Sequence, residues 1–171
     1  ANFGFCHTGD AEGRLWNPAL AGGGLLDLGI YPIALGLFLT DRAPLRVSSQ
    51  MVLGSTGVDT ITSFQCEFAD EIMLQGSCAI NTFLPKMATL GFERGTVEVP
   101  EFWAAQEYTV HPEGGDPETV SRPHAVNGFE YQIQAFHRAW NEGRIECPEI
   151  PWEASLAALR IMDEIRKSHA F

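Results

Sequence analysis

The chain has 171 residues, of which 45% are hydrophobic, and its 22 acidic against 11 basic side chains give a formal net charge of -11. This composition is typical of a globular chain, and the length is enough for one domain with a substantial core. The acidic excess argues against a nucleic acid partner, because a polyanion requires a basic face on the protein that binds it.

Neither a membrane partner nor a metal site is predicted. The longest apolar run, from Leu25 to Leu39, is broken by a carboxylate, two glycines and a proline, so it is no uninterrupted membrane span. The five histidines are scattered without the spacing of metal ligands. The four cysteines form no C-x-x-C pair and predict neither a disulfide framework nor a zinc site. Small buried thiols of this kind suit a reducing, cytoplasmic location.

Residues 1–6 predict a strand, and residues 7–24 predict a long loop rich in Gly, Asn and Pro, of a kind that is often functional. A helix is predicted from Leu25 to Thr40. On this helix Asp27 and Tyr31 are four residues apart and share one face, while apolar side chains occupy the other faces. A carboxylate on such a helix requires a partner or a wet cleft, so the segment predicts a polar spot on a buried wall.

The alternative for this helix is structural. Asp27 would then be a satisfied carboxylate near the helix N-terminus, and Tyr31 a core tyrosine bonded to the backbone. Pro32 removes one amide donor and predicts a kink or a bent first turn beside Tyr31.

Period-2 alternation then predicts an antiparallel meander with short turns. Its strands are predicted at Leu45–Leu53, Val58–Phe68, Glu71–Ile80, Met87–Glu93, Thr96–Val99 and Ala105–Val110. In the second of these strands one face is suited to a core, and the other, which includes Asp59, is polar. The second face of the sheet carries mainly Ser, Thr, Gln, Met and Ala, which favours contact with another protein surface; a solvated face is the alternative.

After an exposed loop at residues 111–125, two amphipathic helices are predicted. The first carries an apolar stripe with members three or four residues apart: Val126, Phe129, Ile133, Phe136 and Trp140. The second begins near Pro151 and carries the stripe Trp152, Leu156, Leu159, Met162 and Ile165. Both stripes are interpreted as core packing. The predicted fold is therefore α+β, a mostly antiparallel open sheet with helices on one face.

The segment Gly22-Gly-Gly-Leu-Leu-Asp-Leu-Gly-Ile-Tyr-Pro-Ile33 resembles the C-terminal domain motif of the Gfo/Idh/MocA oxidoreductases. Within that family it is most similar to the branch of dihydrodiol dehydrogenase, D-xylose dehydrogenase and glucose-fructose oxidoreductase. Shorter matches fit the same pattern, in order, over essentially the whole chain: Ala1–Phe5, Asn17-Pro18, Gly128–Tyr131 and Cys147–Leu156.

The resemblance implies Tyr31 as the general acid/base at a CH–OH carbon, and Asp27 as a hydrogen-bonding partner of the substrate or of the tyrosine. It implies a sugar-like, polyol or cyclic diol substrate, with NAD or NADP held mainly by a preceding Rossmann domain whose Glu-Lys-Pro lysine supplies a cation. The candidate substrate contacts are Phe5, Arg14, Asn17 and Trp103. A structural arginine and an aromatic ring that packs on the sheet are the alternatives for Arg14 and Trp103.

The chain contains no glycine fingerprint after a strand and no Glu-Lys-Pro. The resemblance therefore implies that residues 1–171 are a single C-terminal domain of a two-domain enzyme, and it leaves open whether this domain acts alone. The family forms dimers through the sheet face, so a homodimer is expected. The alternative is a stand-alone dimerisation or ligand-binding module with the same fold and no catalysis.

Overall fold

Eight strands form one sheet in the computed structural model, which describes residues 2–6 and 13–169, and of Asn2 and Phe5 the backbone alone. The strands are β1 (Asn2–Cys6), β2 (Arg46–Leu53), β3 (Asp59–Glu67), β4 (Met73–Ala79), β5 (Met87–Phe92), β6 (Gly95–Pro100), β7 (Glu107–Pro112) and β8 (Glu118–Ser121). Their order across the sheet is β2-β3-β4-β1-β5-β6-β7-β8. The pair β1–β4 is parallel and every other pair is antiparallel. The predicted α+β fold with a mostly antiparallel open sheet is confirmed.

Three α-helices accompany the sheet: α1 (Ile30–Thr40), α2 (Phe129–Asn141) and α3 (Trp152–Lys167). Helices α1 and α3 pack on each other, α1 contacts β1 and β4, and α3 contacts β2. The core between these two helices and the sheet includes Phe3, Ile33, Phe64, Leu74, Ile161 and Ile165. The alternation predicted for the second strand of the meander is confirmed in β3, where Thr62, Phe64 and Cys66 are buried while Ser63 and Gln65 are exposed.

The predicted loop at residues 111–125 is wrong in part, because it contains a strand. Strand β7 continues to Pro112, and β8 pairs with it from Val110–Glu118 to Glu107–Ser121. Gly114, with φ +69°, lies in the turn that joins them. Strand β8 has four residues and one large apolar side chain, so it shows almost no alternation. Hydrogen bonding to β7, a non-local interaction, determines its conformation.

The apolar stripe of α2 is exposed, which corrects the prediction of core packing. The exposed fractions are 63% for Phe129, 52% for Ile133, 57% for Phe136 and 73% for Trp140, and these four residues are called the α2 stripe below. Val126 precedes the helix and is also exposed. Ala139 is the one buried residue of α2, because the layer that covers the sheet is made by α1 and α3.

Helix α3 is buried on a face that the sequence pattern predicts only in part. Met162 and Ile165 are buried as expected, together with Ala158 and Ile161. The N-terminal members of the predicted stripe, Trp152, Leu156 and Leu159, are exposed. The prediction is right for the C-terminal half of this helix, which contacts α1, and wrong for its beginning.

Among the described residues one helical segment, Pro18–Thr40, is long and apolar enough to cross a membrane by length and composition alone. Its mean hydropathy is 1.6, and 44% of its most apolar window is buried. This segment contains the apolar run Leu25–Leu39, which is interrupted by Asp27, Gly29, Pro32 and Gly36. The core helix of a soluble protein passes the same test, and Leu25, Leu28 and Ile33 of this segment belong to the core.

We predict that Gly76→Ala on β4 destabilises the protein. A Cβ at position 76 would lie 2.3 Å from the nearest atom of the Phe64 ring, which is itself buried. Overpacking of this kind costs about 1–3 kcal/mol in the free energy of unfolding, measured by urea denaturation. The matched control is Gly91→Ala on β5, where a Cβ would meet open space. Equal effects of the two substitutions would contradict the packing described here.

Candidate active site

The candidate site is built on an irregular segment that leads into α1. Two short 3₁₀ helices, Arg14–Trp16 and Pro18–Leu20, are followed by the three glycines at 22–24. The predicted single helix from Leu25 to Thr40 is in fact a π-helical turn, Leu25–Gly29, that continues directly into α1. Pro32, in the first turn of α1, cannot donate to the Leu28 carbonyl, and the wide π turn lies directly before this helix. The kink expected beside Tyr31 stays a prediction.

A buried carboxylate in the sheet accepts a hydrogen bond from the first residue of the π turn. Asp59, at the start of β3, is 8% exposed. Its Oδ2 accepts the backbone N–H of Leu25 at 2.7 Å and the Oγ1–H of Thr62 at 2.8 Å. These two bonds compensate the burial of the charge, and the carboxylate lies at the N-terminal end of a helical segment, where negative charge is favoured.

The burial of Asp59 contradicts the prediction, because strict alternation along β3 places this residue on the exposed face. The register between β2 and β3 shifts at this point: Val52 pairs with Ile61, and Leu53 pairs with Asp59. The extra residue is a β-bulge, and a bulge re-aims the side chain beside it. No signal in the sequence locates this bulge, so sequence reasoning missed Asp59.

The glycines are required by the closeness of this carboxylate. A Cβ on Gly23 would lie 2.1 Å from Oδ1 of Asp59, and the φ of Gly23 is +111°. A Cβ on Gly24 would lie 3.3 Å from Oδ2. Two of the three glycines therefore allow the backbone to pass directly over Asp59.

Cys78 lies under the same turn, since its Sγ would be 3.3 Å from a Cβ on Gly29. Burial raises the pKa of the Cys78 thiol well above its ordinary value, the Asp59 carboxylate raises it further, and a hydrogen bond to the Thr62 backbone opposes both. At neutral pH the thiol is therefore protonated. Cys78 acts here as a small buried packing residue.

Above the turn, Asp27 forms an ion pair with Arg14. The side chain of Asp27 is 27% exposed and that of Arg14 is 54% exposed. A pair this accessible to water contributes at most about 1 kcal/mol. The pair therefore contributes little to the stability of the fold. Two residues singled out from sequence, Arg14 and Asp27, are thus in contact.

Tyr31 lies one turn further along, in the first turn of α1, and is 41% exposed. It is not a fully buried core tyrosine, as the structural alternative required. Leu28 and Ile33, on other faces of the same segment, are in the core. Phe38 and Leu39 of α1 are 73% and 48% exposed, so the prediction of a helix buried nearly all round is wrong. Asp27 and Tyr31 are accessible from outside, beside residues that belong to the core.

The remaining candidates have structural partners or lie outside the described atoms. The side chain of Asn17 accepts the N–H of Ala19 at 2.9 Å and caps the second 3₁₀ helix. Trp103 packs edge-on against Phe102, with ring centroids 6.0 Å apart, and Lys86 Nζ lies 5.3 Å from its ring centroid. The side chain of Phe5 is outside the described part. Substrate contact by Asn17, Trp103 and Phe5 stays a prediction. Lys86, beside Trp103, was not singled out from the sequence.

A metal centre is not found either: among the described residues, no group of three or more His, Cys, Asp or Glu side chains could hold a metal ion.

An open, mostly antiparallel sheet with a glycine-led helix that carries an aspartate and a tyrosine is the arrangement expected from the sequence resemblance. A model of the GFO/IDH/MocA C-terminal domain matches residues 1–99, and the chain belongs to this family.

Among curated proteins, trans-1,2-dihydrobenzene-1,2-diol dehydrogenase of Mus musculus is 29% identical over 174 residues, covering 98% of this chain and 52% of its own length. D-xylose 1-dehydrogenase (NADP(+)) of Hypocrea jecorina is 26% identical, covering 88% of this chain and 44% of its own length. The chain thus spans about half the length of the curated relatives it matches.

Solved structures show the same fold. The aldose-aldose oxidoreductase from Caulobacter crescentus, complexed with glycerol, superposes with a TM-score of 0.80 at 25% identity, covering 97% of this chain and 51% of that one. KijD10, a 3-ketoreductase from Actinomadura kijaniata, in complex with NADP and TDP-benzene, has a TM-score of 0.82 at 20% identity. It covers 97% of this chain and 52% of that one, and at this identity the likeness shows the fold alone.

We predict that Asp59→Ala destabilises the protein strongly. The substitution leaves the buried Leu25 N–H and the Thr62 hydroxyl without their acceptor, and each such loss costs about 1–3 kcal/mol. The expected decrease in the free energy of unfolding is on the order of 3 kcal/mol, measured by chemical denaturation. The control is Asp70→Asn, which removes the charge of an exposed carboxylate paired with Arg42 at 2.5 Å and should cost under about 1 kcal/mol. Asn tolerates the φ of +61° at this position. A loss at Asp59 no larger than at Asp70 would refute its role under the π turn.

Proposed function

We propose that this chain is the substrate-binding, catalytic and dimerisation domain of an NAD(P)-dependent oxidoreductase that acts on a CH–OH group of a sugar, a polyol or a cyclic diol. Family membership supports the proposal, as do the dihydrodiol and xylose dehydrogenases that the chain resembles. The observation that carries it is the accessible Asp27–Arg14 pair, one turn from Tyr31, on a segment that also contributes Leu25, Leu28 and Ile33 to the core.

In this proposal Tyr31 takes the proton of the substrate hydroxyl, or returns it in the reverse direction, because its phenol is accessible at the edge of the core. Asp27 accepts a hydrogen bond from a substrate hydroxyl after exchange with Arg14. Carboxylate acceptors and a guanidinium donor together suit a ligand rich in hydroxyl groups. The pair therefore orients the substrate, and the tyrosine transfers the proton.

The described residues do not form a dinucleotide site. The sheet is antiparallel except at β1–β4, and the glycines at 22–24 lie over Asp59 and not at a phosphate-binding turn between a strand and a helix. NAD or NADP would supply the hydride acceptor, and we propose that a preceding Rossmann domain holds it. The chemistry assigned to this chain is accordingly limited to binding the substrate and moving its proton. A cytoplasmic location stays a prediction.

We predict that Tyr31→Phe, made in the longer protein that contains this chain, lowers turnover by about 100-fold or more, the usual scale for loss of an acid/base group. Initial rates would be measured with NAD and with NADP against a panel of sugars, polyols and cyclic diols. Tyr108→Phe on β7 is the matched control, because Tyr108 is exposed to a similar degree, at 37% against 41%. Unchanged turnover in Tyr31→Phe would remove Tyr31 from the mechanism. If the folded wild-type protein turns over none of these substrates, a dimerisation or ligand-binding module without catalysis becomes the better proposal.

Dimerisation is assigned to the open face of the sheet. Two rows of small and amide side chains lie in register across β2, β3 and β4: Ser48, Gln65 and Gln75 in one row, and Gln50, Ser63 and Ser77 in the other. They line a shallow trough of about 470 Å³, in which the Ser63 and Ser77 hydroxyls are 2.9 Å apart. The trough contains no lysine or carboxylate. A polar trough whose lining carries no charge can meet its own copy without repulsion.

We predict that Ser63→Lys lowers the dimer fraction of the chain, measured by sedimentation velocity over a range of protein concentrations. Two copies related by a two-fold axis would bring the new ammonium groups to the centre of the interface, where like charges repel. Ser155→Lys, on the exposed side of α3, is the control and should leave the sedimentation profile unchanged. A dimer that is equally stable in both variants would exclude the centre of this face as the interface.

A further inference from the structure

We propose that the α2 stripe is the surface on which the preceding domain of the longer protein packs. The proposal rests on the two-domain organisation proposed above and assigns the domain contact to Phe129, Ile133, Phe136 and Trp140. It concerns a surface distinct from the open face of the sheet and from the Asp27–Tyr31 site.

The stripe is too apolar and too continuous for a solvent-exposed helix face. Its members follow the spacing of four, three and four residues that lines one side of a helix. The rings of Phe136 and Trp140 stack, with centroids 6.3 Å apart. An aromatic side chain carries about 150–250 Å² of surface, so the exposed parts of Phe129, Phe136 and Trp140 come to roughly 400 Å². A patch of this size is in the range of the largest apolar patches on soluble monomers, which are often functional.

The chemistry of the stripe separates it from the dimer face. Aromatic and aliphatic side chains with no charged member are typical of the centres of permanent interfaces, whereas the sheet trough consists of Ser and Gln side chains. The rim of α2 is polar: Arg138 pairs with Glu149 at 2.5 Å, and Glu130 accepts the amides of Val126, Asn127 and Gly128 at 2.7–3.1 Å. An apolar centre with a polar rim is the anatomy of a specific contact.

The length of the relatives identifies the occupant. The chain matches a C-terminal domain model, and the solved relatives have chains about twice as long as the region it covers. A permanent contact within one polypeptide has no concentration dependence, so it can protect an apolar face that would otherwise promote aggregation.

The test is hydroxyl-radical footprinting with mass spectrometry, applied to the 171-residue chain and to the longer protein that contains it. Several-fold lower oxidation of Phe129, Phe136 and Trp140 in the longer protein is the expected result. Phe92, in the β5–β6 hairpin, is the internal control, because it is 65% exposed against 63% for Phe129 and should be oxidised equally in both. In the longer protein, Phe136→Asp should restore the oxidation of Trp140, whereas Phe92→Asp should not.

Three results would overturn the proposal. Oxidation of the stripe could be equal in the two proteins. The stripe could become protected in the 171-residue chain as its concentration rises, which would identify a second copy as the occupant. The natural polypeptide could contain no preceding domain. Footprinting requires no substrate, so it is independent of activity. If the longer protein is active but its α2 stripe is not protected from oxidation, the domain contact alone is overturned. If the stripe is protected but the longer protein is inactive, the enzymatic function alone is overturned.

Discussion

The buried carboxylate of Asp59 is the constraint on which the candidate site depends. Asp59 lies in the sheet, and its carboxylate accepts a hydrogen bond from the first amide of the π turn. Because Gly23 and Gly24 have no Cβ, the backbone can pass directly above this carboxylate. The turn cannot slide along the sheet without breaking this bond in a buried environment, where an unpaired amide or carboxylate is costly. The positions of Asp27 and Tyr31 relative to the sheet are therefore determined by a residue that is distant from both of them in the sequence.

The three surfaces of the domain differ in chemistry, and the difference matches the three contacts proposed for them. The site presents a half-exposed ion pair and a phenol, which suit a small ligand that competes with water. The trough on the sheet is uncharged and polar, as expected of a face that can be hydrated in the monomer and covered in a dimer. The α2 stripe is apolar and is expected to be covered permanently. None of these surfaces includes the buried cysteines, which serve packing.

Much of the fold could be predicted from local periodicity. The alternation of β3 follows directly from Thr62, Phe64 and Cys66 on one face and Ser63 and Gln65 on the other. Strand β8 and the inward turn of Asp59 could not be predicted, because both arise from pairing between strands: β8 from its ladder with β7, and Asp59 from the bulge opposite Val52 and Leu53.

The interpretation of the α2 stripe as core packing is wrong. Periodicity shows that one face of a helix is apolar, but it gives no information on whether that face is covered within the same domain. For the candidate site, the contact between Arg14 and Asp27 agrees with a common polar spot. The roles of these residues in binding and proton transfer depend on a ligand, which periodicity does not describe.

The position of β1 has a consequence for how the domain is made. This strand comes first in the chain but lies in the middle of the sheet, where Asn2 is paired with Gln75 on one side and with Thr89 on the other. The hairpins on either side of it join strands close in sequence, and each can form as soon as it is synthesised. Strand β1 can pair only after both of its neighbours, β4 and β5, have left the ribosome. This pairing closes a long loop, and the entropy cost of closing the loop precedes the gain from the contacts. We therefore expect the two halves of the sheet to be separate hairpin units with open edges during synthesis. The pairing of β1 with β4 and β5 then joins them into one sheet.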